Sequence, residues 1–543
     1  MIRLALNNPC TFLKLGCYMK KIRRVPMFLI VISVFIFISI LAIYSFGRFA
    51  KQAKGEPSFA LAVQDDQTDL DKALGPEFAL HPDESSLLLV PSDIDAFAIR
   101  AKSAREAGRS LDLQYYMWHN DLTGQLLGLE VLNAADRGVR VRIILDDMNV
   151  KENSELLATL NQHENIKIRM FNPTRVRGNS LMRGIEMLLR GLSLDRRMHN
   201  KSWIADGRIA IVGGRNIGDE YFGAASNRNF FDVDLLIGGH AVREAETIFD
   251  EFWNCDAVIP IDALVKSDAQ ALEELRMSIA NKRKNLVAAP YFDKLKETPN
   301  AKALFKKEWN QGNWQVHWSK NVHIYSDPAI KAFAKGEAHW LKKRLEPIIT
   351  NAKQRLNIIS PYFVPGKSGV NEFVQLHQQG VDVNILTNSL ATNDVIFAHG
   401  GYITYRKPLL RNGINLYELK PFGKVGHTLL GSSSASLHTK AFLIDNEMGF
   451  VGSFNFDPRS ANLNTEMGII FAEPAIVQAL QHEFIMRTNG DYSYQVTLTN
   501  DQLHWLDQRN NQQPIVWNYD PESKWWQRAL ATIISYLPIE SQL

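Results

Sequence analysis

The sequence predicts an α/β protein with two similar halves, preceded by a helix that spans a membrane. Three observations support this prediction: a strand–helix–strand pattern occurs twice, one short polar motif occurs in each half, and an uncharged apolar run lies near the N-terminus. The 543 residues, 45% of them hydrophobic, suffice for more than one core and exclude a globally disordered chain.

Charge and cysteine content exclude several classes of protein. Lys and Arg together number 61 and Asp and Glu 58, so the net charge is +3 and a dedicated nucleic-acid binder is not expected. Three cysteines are too few for a disulfide framework, and none has a Cys or a His at metal-ligand spacing. We therefore expect no cofactor and no metal.

The first element is the apolar run from Pro26 to Phe46, 21 residues without a charge, which is the length of a helix that crosses a bilayer. Six basic residues and no acid precede this run, so the N-terminus is predicted to be cytoplasmic and the rest of the chain to lie outside. We expect an uncleaved signal anchor over residues 1–50 with a helix at about 26–46. Cleavage after the small residues at 60–62, or a start at Met19 or Met27, are the alternatives.

The repeated pattern defines the two halves. The predicted strand, helix and strand are Leu111–Trp118, Gly124–Asp136 and Val139–Leu145 in the first half, and Leu356–Phe363, Gly369–Gln379 and Gly380–Leu386 in the second. The predicted organisation is a polar linker at 51–84, a first domain at 85–264, a Lys-rich helical connector with the pair Trp309 and Trp314 at 265–325, a second domain at 326–500, and a C-terminal segment with an amphipathic helix at 501–543.

Each half contains the pattern His-x-Lys-x4-Asp, formed by His199, Lys201 and Asp206 and again by His438, Lys440 and Asp445. Residues i and i+2 of a strand point to the same side, so each motif presents an imidazole beside an ammonium group. The Asp has the opposite parity and is followed by Gly or Asn, which is typical of a hairpin turn, so we expect the two Asp residues to brace the site.

The residues around the two motifs suit a phosphodiester substrate. If two such hairpins meet around a pseudo-twofold axis, two His, two Lys and the donors Asn216, Ser453 and Asn455 converge on one point. One imidazole can then attack phosphorus while the other protonates the leaving alkoxide, and the lysines offset the phosphate charge without a metal.

Two acids that follow the motifs, Asp232 and Glu466, are candidates to hydrogen-bond the far nitrogen of each imidazole. A metal site is the alternative interpretation of the histidines. It is disfavoured because Lys is a poor metal ligand and no carboxylate cluster accompanies them.

These motifs resemble the phospholipase D superfamily, whose signature is the duplicated His-x-Lys-x4-Asp with a trailing small-residue pair and Asn. The resemblance covers roughly residue 85 to the C-terminus. Within the superfamily, the sequence most resembles the C type of the bacterial cardiolipin synthases. The segments that carry this resemblance are Arg197–Ser202, Val212–Gly223, Leu386–Ala391, Gly452–Ser460 and Leu463–Gly468. The first copy departs from the pattern at Gly214, where the second has Ser453. The resemblance implies two α/β/α sandwich domains related by a pseudo-twofold axis, with the active site at their interface.

The same resemblance implies a phosphatidyltransferase that makes cardiolipin from phosphatidylglycerol through a phosphohistidine. We predict His199 as the nucleophile and His438 as the general acid and then base. Phosphatidylethanolamine as donor, a small macro-domain partner protein, and a bacterial inner-membrane location with a periplasmic catalytic part are also implied. A hydrolytic phospholipase D, a phosphodiesterase nuclease and an inactive lipid-binding scaffold are the alternatives.

Two further segments, Leu181–Leu192 and Trp525–Leu537, combine apolar residues with Arg or aromatic flanks. This composition is typical of helices that lie in a membrane interface. The alternative is that either helix packs on the protein core.

Overall fold

Two compact units make up the chain: Met1–Ala53 with Thr174–Asp195, and Lys54–Pro173 with Arg196–Leu543. The computed structural model describes residues 10–267, 269–283, 289–297, 316–421, 435–509 and 513–542. The pair Trp309 and Trp314 of the predicted connector lies outside these ranges.

The first unit contains the predicted membrane helix. Its helices are α1 (Cys10–Gln52), α7 (Ser180–Leu189) and α8 (Gly191–Leu194). Helix α1 is longer than the predicted 26–46 at both ends, because the flanking residues are mostly Leu, Lys, Arg and others with good helix propensity. Within the described part of the chain, Met27–Gln52 is the one helical stretch long and apolar enough to cross a membrane, with a mean hydropathy of 2.9 and exposed side chains.

The second unit contains both repeated halves, and each half has its own sheet. The strands of the first half and connector are β1 (Ser85–Val90), β2 (Ser110–Tyr115), β3 (Arg140–Asp146), β4 (Ile166–Phe171), β5 (Ser202–Ala205), β6 (Ile209–Gly213), β7 (Asn229–Phe231), β8 (Asp234–Gly239), β9 (Val258–Pro260) and β10 (His317–Ser319). All except β7 form the first sheet, in the order β10-β1-β8-β6-β5-β2-β3-β4-β9.

The second sheet repeats this plan. Its half contributes β11 (Val322–Ser326), β12 (Arg355–Ile359), β13 (Asp382–Asn388), β14 (Asn415–Leu419), β15 (Ala435–Leu437), β16 (Lys440–Ile444), β17 (Met448–Gly452), β18 (Met467–Phe471), β19 (Ser493–Thr499), β20 (Gln502–Asp507) and β21 (Ile515–Trp517). Apart from β15, these strands have the order β11-β18-β17-β16-β12-β13-β14-β19-β20-β21. The pairs β2–β3 and β12–β13 are parallel, as the strand–helix–strand pattern requires.

Helices cover the sheets. The helices of the second unit are α2 (Asp69–Leu80), α3 (Asp93–Glu106), α4 (Leu122–Asp136), α5 (Asp147–Val150), α6 (Ser154–Leu160), α9 (Val242–Asn254), α10 (Ala269–Arg283), α11 (Ala289–Glu297), α12 (Leu341–Thr350), α13 (Gly366–Gln378), α14 (Ile396–Arg411), α15 (Pro458–Asn462), α16 (Pro474–Thr488) and α17 (Trp525–Ser535). Helices α3, α4 and α6 share one core with the first sheet, and α12, α13 and α14 share another with the second.

A third core joins the two halves. It contains strand residues from both sheets, such as Val212 and Leu235 from the first and Val451 and Ile469 from the second, together with α9 and α16. Strands β7 and β15 add a parallel pair across the same junction, from Asn229 opposite Ala435 to Phe231 opposite Leu437. The α/β architecture predicted from the sequence is therefore present, and the two halves are packed face to face.

The segment 51–84, predicted to be a polar linker, contains helix α2 and packs on the first half. Thr68 and Asp71 form a reciprocal cap at the start of this helix. The buried Asp71 carboxylate accepts hydrogen bonds from Arg109 at 2.5 Å and Arg208 at 2.6 Å. This anchoring of a charged side chain explains why the segment is ordered.

Structure in the second sheet also continues past residue 500, where the sequence analysis ended the second domain. Strands β20 and β21 extend that sheet by antiparallel pairing, with Trp505 opposite Trp517. In the C-terminal segment, α17 packs on α14 through Ala531 and Ile534, and Gly400 allows this approach because a Cβ there would lie 2.4 Å from Ile534 Cγ2. One face of the predicted amphipathic helix therefore packs on the core, while Trp525 and Ile533 stay exposed.

Candidate active site

The two motifs lie at equivalent places, on the hairpins β5–β6 and β16–β17. Asp206 and Asp445 both have φ of 54°, and they start the tight turns at which the sequence placed them. Their carboxylates accept backbone N–H groups rather than facing the motif histidines: Gly108, Arg109 and Ser110 donate to Asp206, and Lys353, Gln354 and Arg355 donate to Asp445. Each Asp thereby ties its hairpin to the start of the strand that pairs with it, β2 in the first half and β12 in the second.

The two motif histidines are buried at the junction of the halves, and each is held by the opposite half. The backbone N–H of His199 donates to the carbonyl of Thr465, and that of His438 to Phe231, both at 2.8 Å. The ring Nδ1 of His199 lies 2.8 Å from Glu466 Oε2, and that of His438 lies 2.6 Å from Asp232 Oδ2. The acids are the two that the sequence predicted, but each serves the histidine of the other half.

This arrangement leaves the second ring nitrogen of each histidine available. With Nδ1–H donating to a carboxylate, Nε2 is the lone-pair nitrogen of the neutral ring. Among the described residues, neither Nε2 atom has a hydrogen-bond partner. Both imidazoles can therefore act on a reacting group placed between them.

Burial and nearby positive charge lower the pKa of both motif histidines. Burial lowers the pKa of His199, Lys201 lowers it further, and Glu466 opposes the shift. Burial together with Lys440, Lys201 and His199 holds the pKa of His438 well below its ordinary value. His438 is thus the less basic of the two rings.

The motif lysines are buried beside the imidazoles. The Nζ of Lys201 donates to the carbonyl of His199 at 2.6 Å, and Lys440 donates to the carbonyl of His438. Burial lowers the pKa of Lys201 to about 7 and that of Lys440 to about 8. An entering phosphate group would favour the charged ammonium form of both.

The two acids have different surroundings. Burial opposes the ionisation of Glu466, but His199, Lys201 and the hydroxyl of Ser453 hold its pKa below the ordinary value. The Ser453 and Ser460 hydroxyls donate to Glu466 at 2.5 and 2.9 Å. Burial raises the pKa of Asp232, with Lys440 and Arg215 opposing the rise.

The equivalent positions Gly214 and Ser453 account for the different surroundings of the two acids. A Cβ at Gly214 would lie 2.3 Å from Asp232 Oδ1, so the shorter acid occupies the space that a side chain would need. In the other half the longer Glu466 leaves room for Ser453, and the hydroxyl binds the carboxylate. Ser453, predicted as a phosphate donor, is therefore engaged with the acid.

The two predicted Asn residues also differ. Asn216 accepts the backbone N–H of Met117 at 3.2 Å and donates to the Tyr221 hydroxyl at 2.9 Å. The buried side-chain oxygen of Asn455 has no hydrogen-bond partner among the described residues. The structure thus engages the Asn216 amide with protein groups, whereas the buried Asn455 carbonyl has no such partner among the described residues.

Aromatic residues that the sequence analysis missed line the histidines. The Tyr116 ring lies 5.0 Å from His199, and Tyr221 and Phe230 lie 5.2 and 5.0 Å from His438, measured between ring centroids. Tyr116 directly follows β2. Functional residues often lie at the carboxyl ends of parallel strands, so this position could have identified Tyr116 from the sequence. These rings restrict solvent access to the imidazoles.

Comparison with known proteins places this geometry in a family. The family model described as "Cardiolipin synthase, PLD-like domain" matches residues 101–253 and 345–487, one match for each half. Cardiolipin synthase C of Escherichia coli (strain K12) is 37% identical over 478 residues, which cover 87% of this chain and 99% of that protein. Cardiolipin synthase 2 of Staphylococcus epidermidis is 23% identical over 385 residues, 70% of this chain and 63% of that protein.

A solved structure supports the fold. The phosphatidylserine synthase of Haemophilus influenzae Rd KW20 superposes with a TM-score of 0.52, covering 77% of this chain and 91% of that one at 13% sequence identity. At this identity, the similarity concerns the arrangement of the two halves and their sheets.

Proposed function

The chain belongs to the cardiolipin synthase family of phospholipase D-like proteins, and from this premise we propose that it makes cardiolipin by transferring a phosphatidyl group to phosphatidylglycerol. The observation that carries the proposal is the pair of crossed contacts, His199 with Glu466 and His438 with Asp232. They orient two imidazoles at one junction, so that a neutral ring can attack phosphorus while a protonated one gives its proton to the leaving group.

In the first step, Nε2 of one histidine attacks the phosphorus of the donor phospholipid. A nitrogen–phosphorus bond forms, the bond from phosphorus to the headgroup oxygen breaks, and the second histidine gives its proton to the departing alkoxide. In the second step, that histidine removes the proton from a glycerol hydroxyl of phosphatidylglycerol. The hydroxyl oxygen attacks phosphorus, and the nitrogen–phosphorus bond breaks to release cardiolipin.

We assign the nucleophile to His199 and the proton transfer to His438. The more basic imidazole is the better nucleophile, and the pKa of His199 is lowered less because Glu466 opposes the shift. The less basic His438 is the stronger acid once the charge of the bound phosphodiester has favoured its protonation. The ammonium groups of Lys201 and Lys440 balance the negative charge that develops on the phosphate oxygens.

The reaction is tested with the purified full-length chain, phosphatidylethanolamine and phosphatidylglycerol. We expect cardiolipin together with free ethanolamine. Phosphatidic acid without cardiolipin would instead identify a hydrolase, and DNA cleavage without lipid turnover would identify a nuclease. A His199→Ala variant that still supported cardiolipin formation in cells would contradict a catalytic role for the site.

The covalent step is tested by quenching turnover of a donor labelled in its phosphatidyl group. Label is expected on His199 in the wild type and should be absent from the His199→Ala variant. Label on His438 would reverse the two assignments, and label on neither would exclude covalent catalysis.

The donor and the partner protein stay predictions. The donor is identified by the headgroup that is released in the presence of phosphatidylglycerol. Release of ethanolamine would identify phosphatidylethanolamine as the donor, and release of glycerol would identify phosphatidylglycerol. A small macro-domain partner is checked by adding the candidate protein to the same assay, where an unchanged rate would argue against a functional pairing.

We also propose that α1 spans the inner membrane with the N-terminus in the cytoplasm and the second unit in the periplasm. Support comes from the exposed apolar stretch Met27–Gln52 and from the basic residues that precede it. Alkaline phosphatase fused after residue 543 should be active in this orientation, because the enzyme needs periplasmic oxidation. An inactive but intact fusion would reverse the topology.

A further inference from the structure

Helix α7 in the first unit carries an apolar stripe of four exposed side chains. Leu181, Met182, Ile185 and Leu188 are 74%, 51%, 43% and 67% exposed. Their spacing of one, four and seven residues places them on one face of a helix with 3.6 residues per turn. The other face carries the polar contacts, where Arg183 donates to Thr174 and Arg190 to Glu186.

The contacts of this segment fix its level along α1. The Arg190 guanidinium lies 3.3 Å from the centroid of the Phe46 ring, and that of Arg175 lies 4.7 Å from Phe49. Phe46 is the last residue of the uncharged run that begins at Pro26, and Arg48 and Lys51 follow it. Helix α7 therefore sits where the hydrocarbon-spanning part of α1 ends.

The charge of the segment fits an anionic bilayer surface. Residues 174–195 contain four arginines (175, 177, 183 and 190) and two acids (186 and 195), an excess of two positive charges. Basic residues beside an apolar face are attracted to anionic headgroups.

We propose that α7 is a second membrane contact, lying in the plane of the interface with its apolar stripe inserted at the boundary of headgroups and acyl chains. The occupant of the stripe is lipid rather than protein, because α7 is packed at the point where α1 leaves the bilayer and so continues the lipid-facing surface of α1. The proposal rests on the contacts of the first unit and does not depend on the catalytic assignment.

The test uses the full chain in vesicles of phosphatidylethanolamine and phosphatidylglycerol. The three cysteines are replaced by Ser, and a polarity-sensitive fluorophore is attached through Ile185→Cys, with Ile485→Cys on α16 as the matched exposed control. Nitroxide lipids labelled near the headgroup should quench the probe at 185 about threefold more than lipids labelled deep in the chain, as expected at the interface. The probe at 485 should show no such difference.

Moving the probe one residue at a time from 181 to 188 tests whether the helix is still folded when it carries the label. Quenching should rise at 181, 185 and 188 and fall at 183, following the helical period. Uniform quenching along the scan, equal quenching at 185 and 485, or shielding at 185 that appears only as protein concentration rises would overturn the proposal. The last outcome would assign the stripe to a second copy of the chain.

Discussion

The two half-sites have the same backbone geometry and different side chains around it. Both histidines donate a 2.8 Å backbone hydrogen bond to a carbonyl of the opposite half, and both motifs end in an Asp with φ of 54°. The acids differ by one methylene, and Gly214 and Ser453 compensate for this difference. The backbone thus preserves the pseudo-twofold relation while the side chains make the two imidazoles chemically unequal.

The residues just before each motif histidine also combine a shared backbone contact with different side chains. In the first half the carboxylate of Asp146 accepts the backbone N–H of Met198 at 2.9 Å and binds Arg197 at 2.7 Å. In the second half Asn388 accepts the N–H of Leu437 at 2.9 Å, and no Arg takes the place of Arg197, because that position is Ser436. Both halves therefore have the backbone hydrogen bond to the residue before the histidine, and the first half adds the ion pair between Arg197 and Asp146.

The largest effect is expected from neutralising the acids. Glu466→Gln and Asp232→Asn should each lower kcat for cardiolipin formation by about 10²- to 10⁴-fold, because the ring loses the partner that fixes its tautomer. Because Glu466 contacts His199, Glu466→Gln should suppress covalent labelling as His199→Ala does. The measurement is kcat with the label trapped at early times; activity of either variant within threefold of wild type would show that the crossed contacts are not used.

The pH profile is the next comparison, with changes of up to about tenfold per pH unit. A neutral His199 is needed for attack and its pKa is lowered, so the acid limb of kcat/KM should lie below pH 6.5. The lysines must be charged, and their pKa values of about 7 and 8 predict a decline as pH rises through that range.

Lys201→Arg should move the alkaline limb to higher pH, because guanidinium stays charged. Lys440→Arg is its matched control and should leave the lower of the two transitions in place. An alkaline limb unchanged in both variants would assign it to another group.

Exchanging the small residues should show that the half-sites are not interchangeable. Gly214→Ser places atoms against Asp232 and should lower activity about tenfold or more, since the carboxylate must move away from His438. Ser453→Gly removes one hydroxyl from Glu466 and should cost only a few-fold, because Ser460 still donates to that acid. Initial rates and circular dichroism of both variants check this; the reverse order would contradict the steric explanation.

The smallest effect concerns the turn residues. The pKa of Asp445 is lowered because its backbone donors outweigh burial, so its stabilisation is present above the unfolded pKa and is lost as pH falls through the folded pKa. Asp445→Asn should lower Tm by about 1–2 °C near pH 7, with the difference shrinking below about pH 4. Asp206→Asn, at a buried turn, should give the larger drop in Tm; equal drops would show that burial of the turn is unimportant.

Local features of the site were predictable from sequence, and contacts between the halves were not. The Asp-Gly and Asp-Asn dipeptides predicted the hairpin turns because their backbone preferences act over two residues. The sequence also identified Asp232 and Glu466, but their exchange between halves depends on how two sheets pack, which no local pattern encodes.

Two features of the structure were outside the sequence analysis for different reasons. The cap formed by Thr68 and Asp71 was visible in the sequence, yet the polar composition of 51–84 favoured a linker. The roles of Ser453 and Asn216 could not be inferred, since a side chain that binds an acid and one that binds a phosphate look alike in sequence.

Each acid contacts the histidine of the other half, and this arrangement has a consequence for how the two half-sites can vary. In an assembly of two identical chains, one gene would specify both half-sites, and any change at an acid or its small neighbour would occur twice. Once two copies are joined in one chain, a long acid with a hydroxyl can stand on one side and a short acid with a glycine on the other. Placing both half-sites in one chain therefore allows the two histidines to differ, and the Gly214–Asp232 and Ser453–Glu466 pairs are where this chain makes them differ.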